Sequence, residues 1–101
     1  MSFAASRPTN RPPSHPGELL AELIENIGRP KAEIARLLGI SRQHLYDVTN
    51  SKKPVSADIA ARLGKMFGDG AGVWLRMQAN YDAWHAERDI DVSGIPTLTA
   101  A

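Results

Sequence analysis

Arg42, Gln43, Tyr46 and Asn50 stand at positions i, i+1, i+4 and i+8 of one short stretch. On a helix that spacing gathers all four on one side. Their chemistry is hydrogen bonding to flat heterocycles rather than bond breaking. A guanidinium matches guanine O6 and N7 bidentately, and a carboxamide matches adenine N6 and N7. Tyr46 can meet a thymine methyl or a phosphate. His44 is a candidate for backbone contact only. Asp47 is unusual on a surface meant for a polyanion. It can orient Arg42, accept from a cytosine amino group, or pair within the protein.

Presenting such a face takes two helices and a tight turn. In residues 32–50, Ile34, Leu37 and Leu38 recur at helical spacing, as do Leu45 and Val48 further on. Gly39 falls between the two patterns, and Ser41 is placed to cap the second. Small Ala35, four residues before Gly39, suits two helices that cross closely. Together these read as a helix-turn-helix, whose second helix can lie in a DNA major groove. Leu45 and Val48 must then face the first helix, which turns Arg42, Gln43, Tyr46 and Asn50 outward as base readers. Phosphate contacts are expected from Arg29, Lys31, Ser41, His44, Lys52 and Lys53, which flank the reading helix or open the helix before it. One helix reads only a few base pairs. Useful affinity therefore needs two copies on a palindrome, with half-sites about 34 Å apart or a multiple of that.

Helical patterns extend on both sides. His15-Pro16-Gly17-Glu18 opens a first helix, with Leu19, Leu20, Leu23, Ile24 and Ile27 as its apolar face and Gly28 as its stop. A second helix runs from Pro30 to about Leu38, and a third starts after Ser41 and ends near Thr49. Ser56 caps a fourth, whose stripe is Ile59, Ala60, Leu63, Met66 and Phe67. Residues 68–72 read as a flexible connection. A fifth helix carries Val73, Trp74, Met77, Tyr81 and Trp84 on one stripe. The expectation is an all-α fold of five helices, with a domain at residues 15–88 and flexible extensions at residues 1–14 and 89–101. Roughly 75 residues make a small core. An aromatic stripe on the last helix then has two uses: closing that core, or packing on a second chain through Trp74, Met77, Tyr81 and Trp84.

Bulk properties narrow the classes. The formal net charge is +1, but residues 1–56 hold eight Lys or Arg against five Asp or Glu, and residues 57–101 hold four against six. The halves thus carry +3 and −2, and the basic half contains the reading helix. There is no cysteine, which excludes disulfides and thiolate metal sites and fits a reducing cytoplasm. No apolar run reaches membrane-spanning length, and the start lacks the apolar segment of a secretory signal. His15, His44 and His85 are scattered without metal-ligand spacing. The glycines of residues 68–72 lack the Lys-Ser/Thr ending of a phosphate loop. Ser14-His15 reads as a helix boundary rather than a catalytic dyad. No catalytic residue, metal or cofactor is expected.

With these residues placed, the chain resembles the HigA family of antitoxins, within the larger lambda-repressor-like (XRE) group. The likeness runs from HPGELL at His15, through AEIARLLGISRQHLYDVTNSKKPVSADIAARLGKMFG, to WLRMQANYDAW. The central block alone marks XRE-type DNA binding; the HPGE start with the W-L-x-x-Q-x-x-Y-x-x-W end is more specific. The resemblance implies a lambda-repressor-like bundle and two activities. One is neutralising a HigB toxin, a RelE-like ribonuclease that cuts messenger RNA on ribosomes. The other is repressing the protein's own operon as a dimer. Carried over by position, Ser41, Arg42, Gln43, Tyr46 and Asn50 would face the operator, and the fifth helix would contribute dimer contacts. An XRE-type regulator without a toxin partner is the competing reading. The chain departs from the family pattern at Arg29-Pro30, where a Ser or Thr cap is frequent, and at Gly70-Ala71-Gly72, where Ser-Pro-Glu is frequent. The second departure leaves the start of the fifth helix less firmly capped. The extensions match no motif. Phe3, Ile90, Val92, Ile95 and Leu98 are apolar anchors for a partner if those segments wrap one.

Overall fold

The helix starts are set by the residues just ahead of them. In the computed structural model, which describes residues 11–99, α1 spans Pro16–Ile27. Its cap is His15, whose Nδ1 accepts a hydrogen bond from the Gly17 N–H at 2.9 Å. Pro16 loses nothing there, because the first helical N–H has no partner within the helix. α2 spans Lys31–Leu38 and follows Pro30 with no side-chain cap. α3 spans Arg42–Thr49, and Ser41 Oγ accepts from the His44 N–H at 3.0 Å. α4 spans Ala57–Phe67, and Ser56 Oγ accepts from the Ile59 N–H at 3.2 Å. α5 spans Ala71–Asp89. There is no strand among the described residues, and the five helices come in the expected order. The first ten residues of the expected N-terminal extension, Phe3 among them, lie outside the described residues.

Two helix groups share one core. α1 and α2 both pack on α3, while α4 and α5 form the largest helix–helix contact. Leu20, Ile24, Ile34, Leu45, Leu63 and Trp74 are buried where the groups meet. Each such side chain contributes about 1.5–3 kcal/mol by leaving water. Two glycines permit backbone contact between helices. A Cβ on Gly17 would fall onto the Val48 carbonyl of α3, and one on Gly64 would fall onto the Gly70–Ala71 peptide.

The apolar stripes are narrower than the periodicity implies. Leu19, Ile27 and Leu37 are exposed at the edges of their stripes. Trp74 is fully buried within the chain, where it packs on Phe67 and donates from Nε1 to Asp69 Oδ1 at 3.1 Å. It belongs to the protomer core and offers nothing to a second copy. α5 begins two residues earlier than its apolar pattern, so Ala71 and Gly72 are helical and the connection shrinks to residues 68–70. Val55, in the irregular segment before α4, is buried as deeply as the helical core, and its N–H donates to Gln78 Oε1 of α5 at 2.7 Å.

Candidate nucleic-acid interface

α2 packs against α3, and Ala35 of α2 is buried. Between them Gly39 adopts φ 77°, a left-handed conformation open to glycine at little cost. That lets the Ile40 N–H return to the Ala35 carbonyl at 3.0 Å and closes the turn within three residues. Sequence reasoning missed one clamp on this turn. Arg62 of α4 donates from Nη1 to the Leu38 carbonyl at 2.8 Å and from Nε to Asp58 at 2.6 Å. The Arg62 hydrogen bond and charge hold the Asp58 carboxyl below the usual carboxylate range. A side chain at position 39 would meet Arg62 Nη1 at 2.8 Å. The turn needs glycine for its conformation, and an added methyl would also push the Arg62 guanidinium off its clamp.

Leu45 and Val48 are buried beneath α3, so Arg42, Gln43, Tyr46 and Asn50 come to the surface together. His44 is half-buried between the two faces. Asp47 pairs within the protein, one of the three roles open to it. Its Oδ1 accepts from Gln43 Nε2 at 2.9 Å, and its Oδ2 lies 3.7 Å from Lys53 Nζ. Ser51 turns the chain after α3 by adopting φ 61°, a region that residues other than glycine seldom visit. The turn brings the Lys52 and Lys53 amides onto the Asp47 carbonyl at 2.7 and 3.1 Å. The basic loop is thus laced to α3.

The remaining cations are placed less evenly. Lys31 Nζ sits 5.2 Å from the centre of the Tyr46 ring, a cation–π contact that joins the start of α2 to the exposed face of α3. Arg29 lies beside α2 but pairs with Glu33 at 3.2 Å. Ser41 spends its oxygen on the α3 cap, which leaves its O–H to donate.

Along α5, Met77 is half-buried against the core, and Tyr81 and Trp84 are half-buried further along. Tyr81 meets the His15 ring edge-on at 4.9 Å and lies 4.3 Å from His85. The Arg88 guanidinium covers Trp84 at 3.8 Å. Burial lowers the His15 pKa, with Asp82 and Glu18 acting the other way. Beyond α5, Ile90, Val92, Ile95 and Leu98 are all exposed. Among the described residues no group of His, Cys, Asp and Glu could hold a metal ion, and no helix is long and apolar enough to cross a membrane.

No family model matches the chain. Antitoxin HigA of Pseudomonas aeruginosa, solved with the higBA promoter, is 31% identical with a TM-score of 0.67, covering 78% of this chain and 96% of that one. This chain belongs to the HigA family. A HigA-family addiction module antidote protein from Coxiella burnetii is 29% identical with a TM-score of 0.80, covering 88% of this chain and all of its own (100%). Virulence-associated protein I of Dichelobacter nodosus is 34% identical over 90 residues, which is 88% of this chain and 82% of that protein. Within the HigA fold, the helix-turn-helix is the part whose exposed face carries Arg42, Gln43, Tyr46 and Asn50.

Proposed function

We propose that this HigA-family chain is an autoregulatory antitoxin. In the cytoplasm it binds palindromic operator DNA as a dimer and neutralises a HigB-like, RelE-type messenger-RNA-cleaving toxin. Residues 15–88 form its DNA-binding domain. Arg42, Gln43, Tyr46 and Asn50 read bases, while Lys31, Ser41, His44, Lys52 and Lys53 contact phosphates, with Arg29 available once released from Glu33. Met77, Tyr81 and Trp84 contribute to the dimer contact. The reaction chemistry belongs to the toxin, and this chain needs no cofactor.

The observation that carries the reading is the exposed polar face of α3, bordered by Lys31 on one side and the Lys52-Lys53 loop on the other. A polar helix face flanked by cations is what groove binding requires, since phosphate contacts fix the register and base edges give the sequence. The promoter named with the Pseudomonas relative supports the same assignment. The exposed apolar residues of the C-terminal tail are available to a protein partner.

Footprinting on the DNA upstream of the gene, with pull-down after co-expression with the neighbouring reading frame, tests both activities. A protected palindrome and a co-purifying small ribonuclease are expected. Protection without such a partner would leave a transcriptional regulator. A blank footprint would remove the DNA reading.

A further inference from the structure

The Gln43–Asp47 pair sits one turn apart on the exposed face of α3, and its hydrogen bond has a direction. A carboxylate offers only acceptors, so the Gln43 amide can approach it only through nitrogen. Nε2 lies 2.9 Å from Asp47 Oδ1. Asp47 is itself held in place. Its side chain is only 17% exposed, its other oxygen faces Lys53 Nζ at 3.7 Å, and its carbonyl accepts two amides from the loop that Ser51 turns back. Gln43 is therefore left with Oε1 as an acceptor and one N–H as a donor.

We propose that Asp47 is a positioning residue that makes Gln43 selective for adenine over guanine, an inference that rests on α3 being the base-reading helix. The adenine edge presents one acceptor, N7, and one donor, the N6 amino group. The restrained amide complements that pair. Guanine presents two acceptors, N7 and O6, and would need two N–H donors. With one N–H committed to Asp47, Oε1 faces a guanine acceptor and rejects it. The same carboxylate holds part of Lys53's charge away from phosphate. Asp47 thus exchanges general affinity for discrimination at one base pair.

The test measures binding of the full chain, wild type and variants, to the operator duplex and to duplexes with each A·T pair changed in turn to G·C. Asp47→Asn keeps the shape of the contact but loses its direction, because an amide can donate to Oε1 as readily as accept from Nε2. Asp47→Ala removes the contact. Both should lower the adenine-over-guanine ratio by about tenfold at a single position per half-site. Both should steepen the salt dependence by less than one unit, as the full charge of Lys53 becomes available to its phosphate. Gln43→Ala should lose the same preference, and adding Asp47→Asn to it should cost no further discrimination. Variants that bind the operator with the wild-type ratio at every position overturn the proposal and leave the operator reading intact. So does a loss spread evenly over all positions, which is the mark of a general structural defect. A wild-type chain that prefers no sequence at all overturns both.

Discussion

Gly17→Ala should separate α1 from α3. The added methyl carbon would lie 2.9 Å from the Val48 carbonyl carbon, nearer still to its oxygen, and 3.0 Å from His15 Nδ1. Carbon atoms in good contact stand about 3.5–4.0 Å apart, so α1 and α3 must move apart by at least roughly 0.6 Å. Val48 cannot swing aside, because its carbonyl belongs to the α3 backbone. The gap would open between Leu20 and Ile24 on one side and Leu45 and Val48 on the other, all of them buried. Overpacking of this kind costs about 1–3 kcal/mol, and more where backbone is the obstacle. Alanine returns up to about 1 kcal/mol of helix propensity. A net loss of about 2 kcal/mol lowers the melting temperature of a domain this size by roughly 8–16 °C. Thermal melts followed by helical circular dichroism, at one fixed protein concentration, give the answer. Gly94→Ala is the control, because nothing lies within 4 Å of a Cβ there. A Gly17→Ala chain that melts with the wild type would refute backbone contact between the two helices.

Arg42→Ala should weaken operator binding by about 1–3 kcal/mol and relax preference at one base pair in a gel-shift titration; unchanged preference removes it from the base readers. Gln78→Ala leaves the buried Val55 N–H without its acceptor. It should cost about 1–3 kcal/mol, read as a lower urea midpoint with an unchanged slope. Trp84→Ala should shift the chain toward monomer in sedimentation, and a wild type already monomeric at micromolar concentration would misplace the dimer contact. Burial lowers the His15 pKa, so the unfolded chain takes up the proton at higher pH than the folded one. Stability should be fullest above about pH 6.5 and fall as pH drops from there toward the lowered folded value. Urea midpoints should decline across that window in the wild type and stay flatter in His15→Asn, which keeps a cap acceptor.

Local signals in the sequence carried most of the fold. Ser41 and Ser56 mark helix starts through side-chain chemistry that acts over three residues, and both are the observed caps. Gly39 marks the turn because few other residues adopt its conformation. Periodicity places the centre of each stripe correctly, but how far the cover extends depends on the neighbouring helix. Leu19, Ile27 and Leu37 fall beyond that cover. Trp74 shows the same limit, since a stripe of aromatics does not say which of its members face inward. Val55 carries no periodic signal. Its burial rests on a partner 23 residues away. On α3, the outward direction of Arg42, Gln43 and Tyr46 follows from Leu45 and Val48. The Asp47 pairing was one of three open roles, because the loop that brings Lys53 back depends on the backbone of Ser51.

The corner between α4 and α5 has no slack. The Gly64 carbonyl accepts from the Gly68 and Gly70 amides at 2.9 and 3.2 Å, and the bare side of Gly64 lies against the Gly70–Ala71 peptide. α5 thus takes its heading from a seam of main chain, with no side chain capping its start. The rod bearing Tyr81 and Trp84 is carried at a fixed bearing from the body that holds α3. Two copies joined along that rod would keep their reading heads at one separation, as a ruler does and a hinge does not.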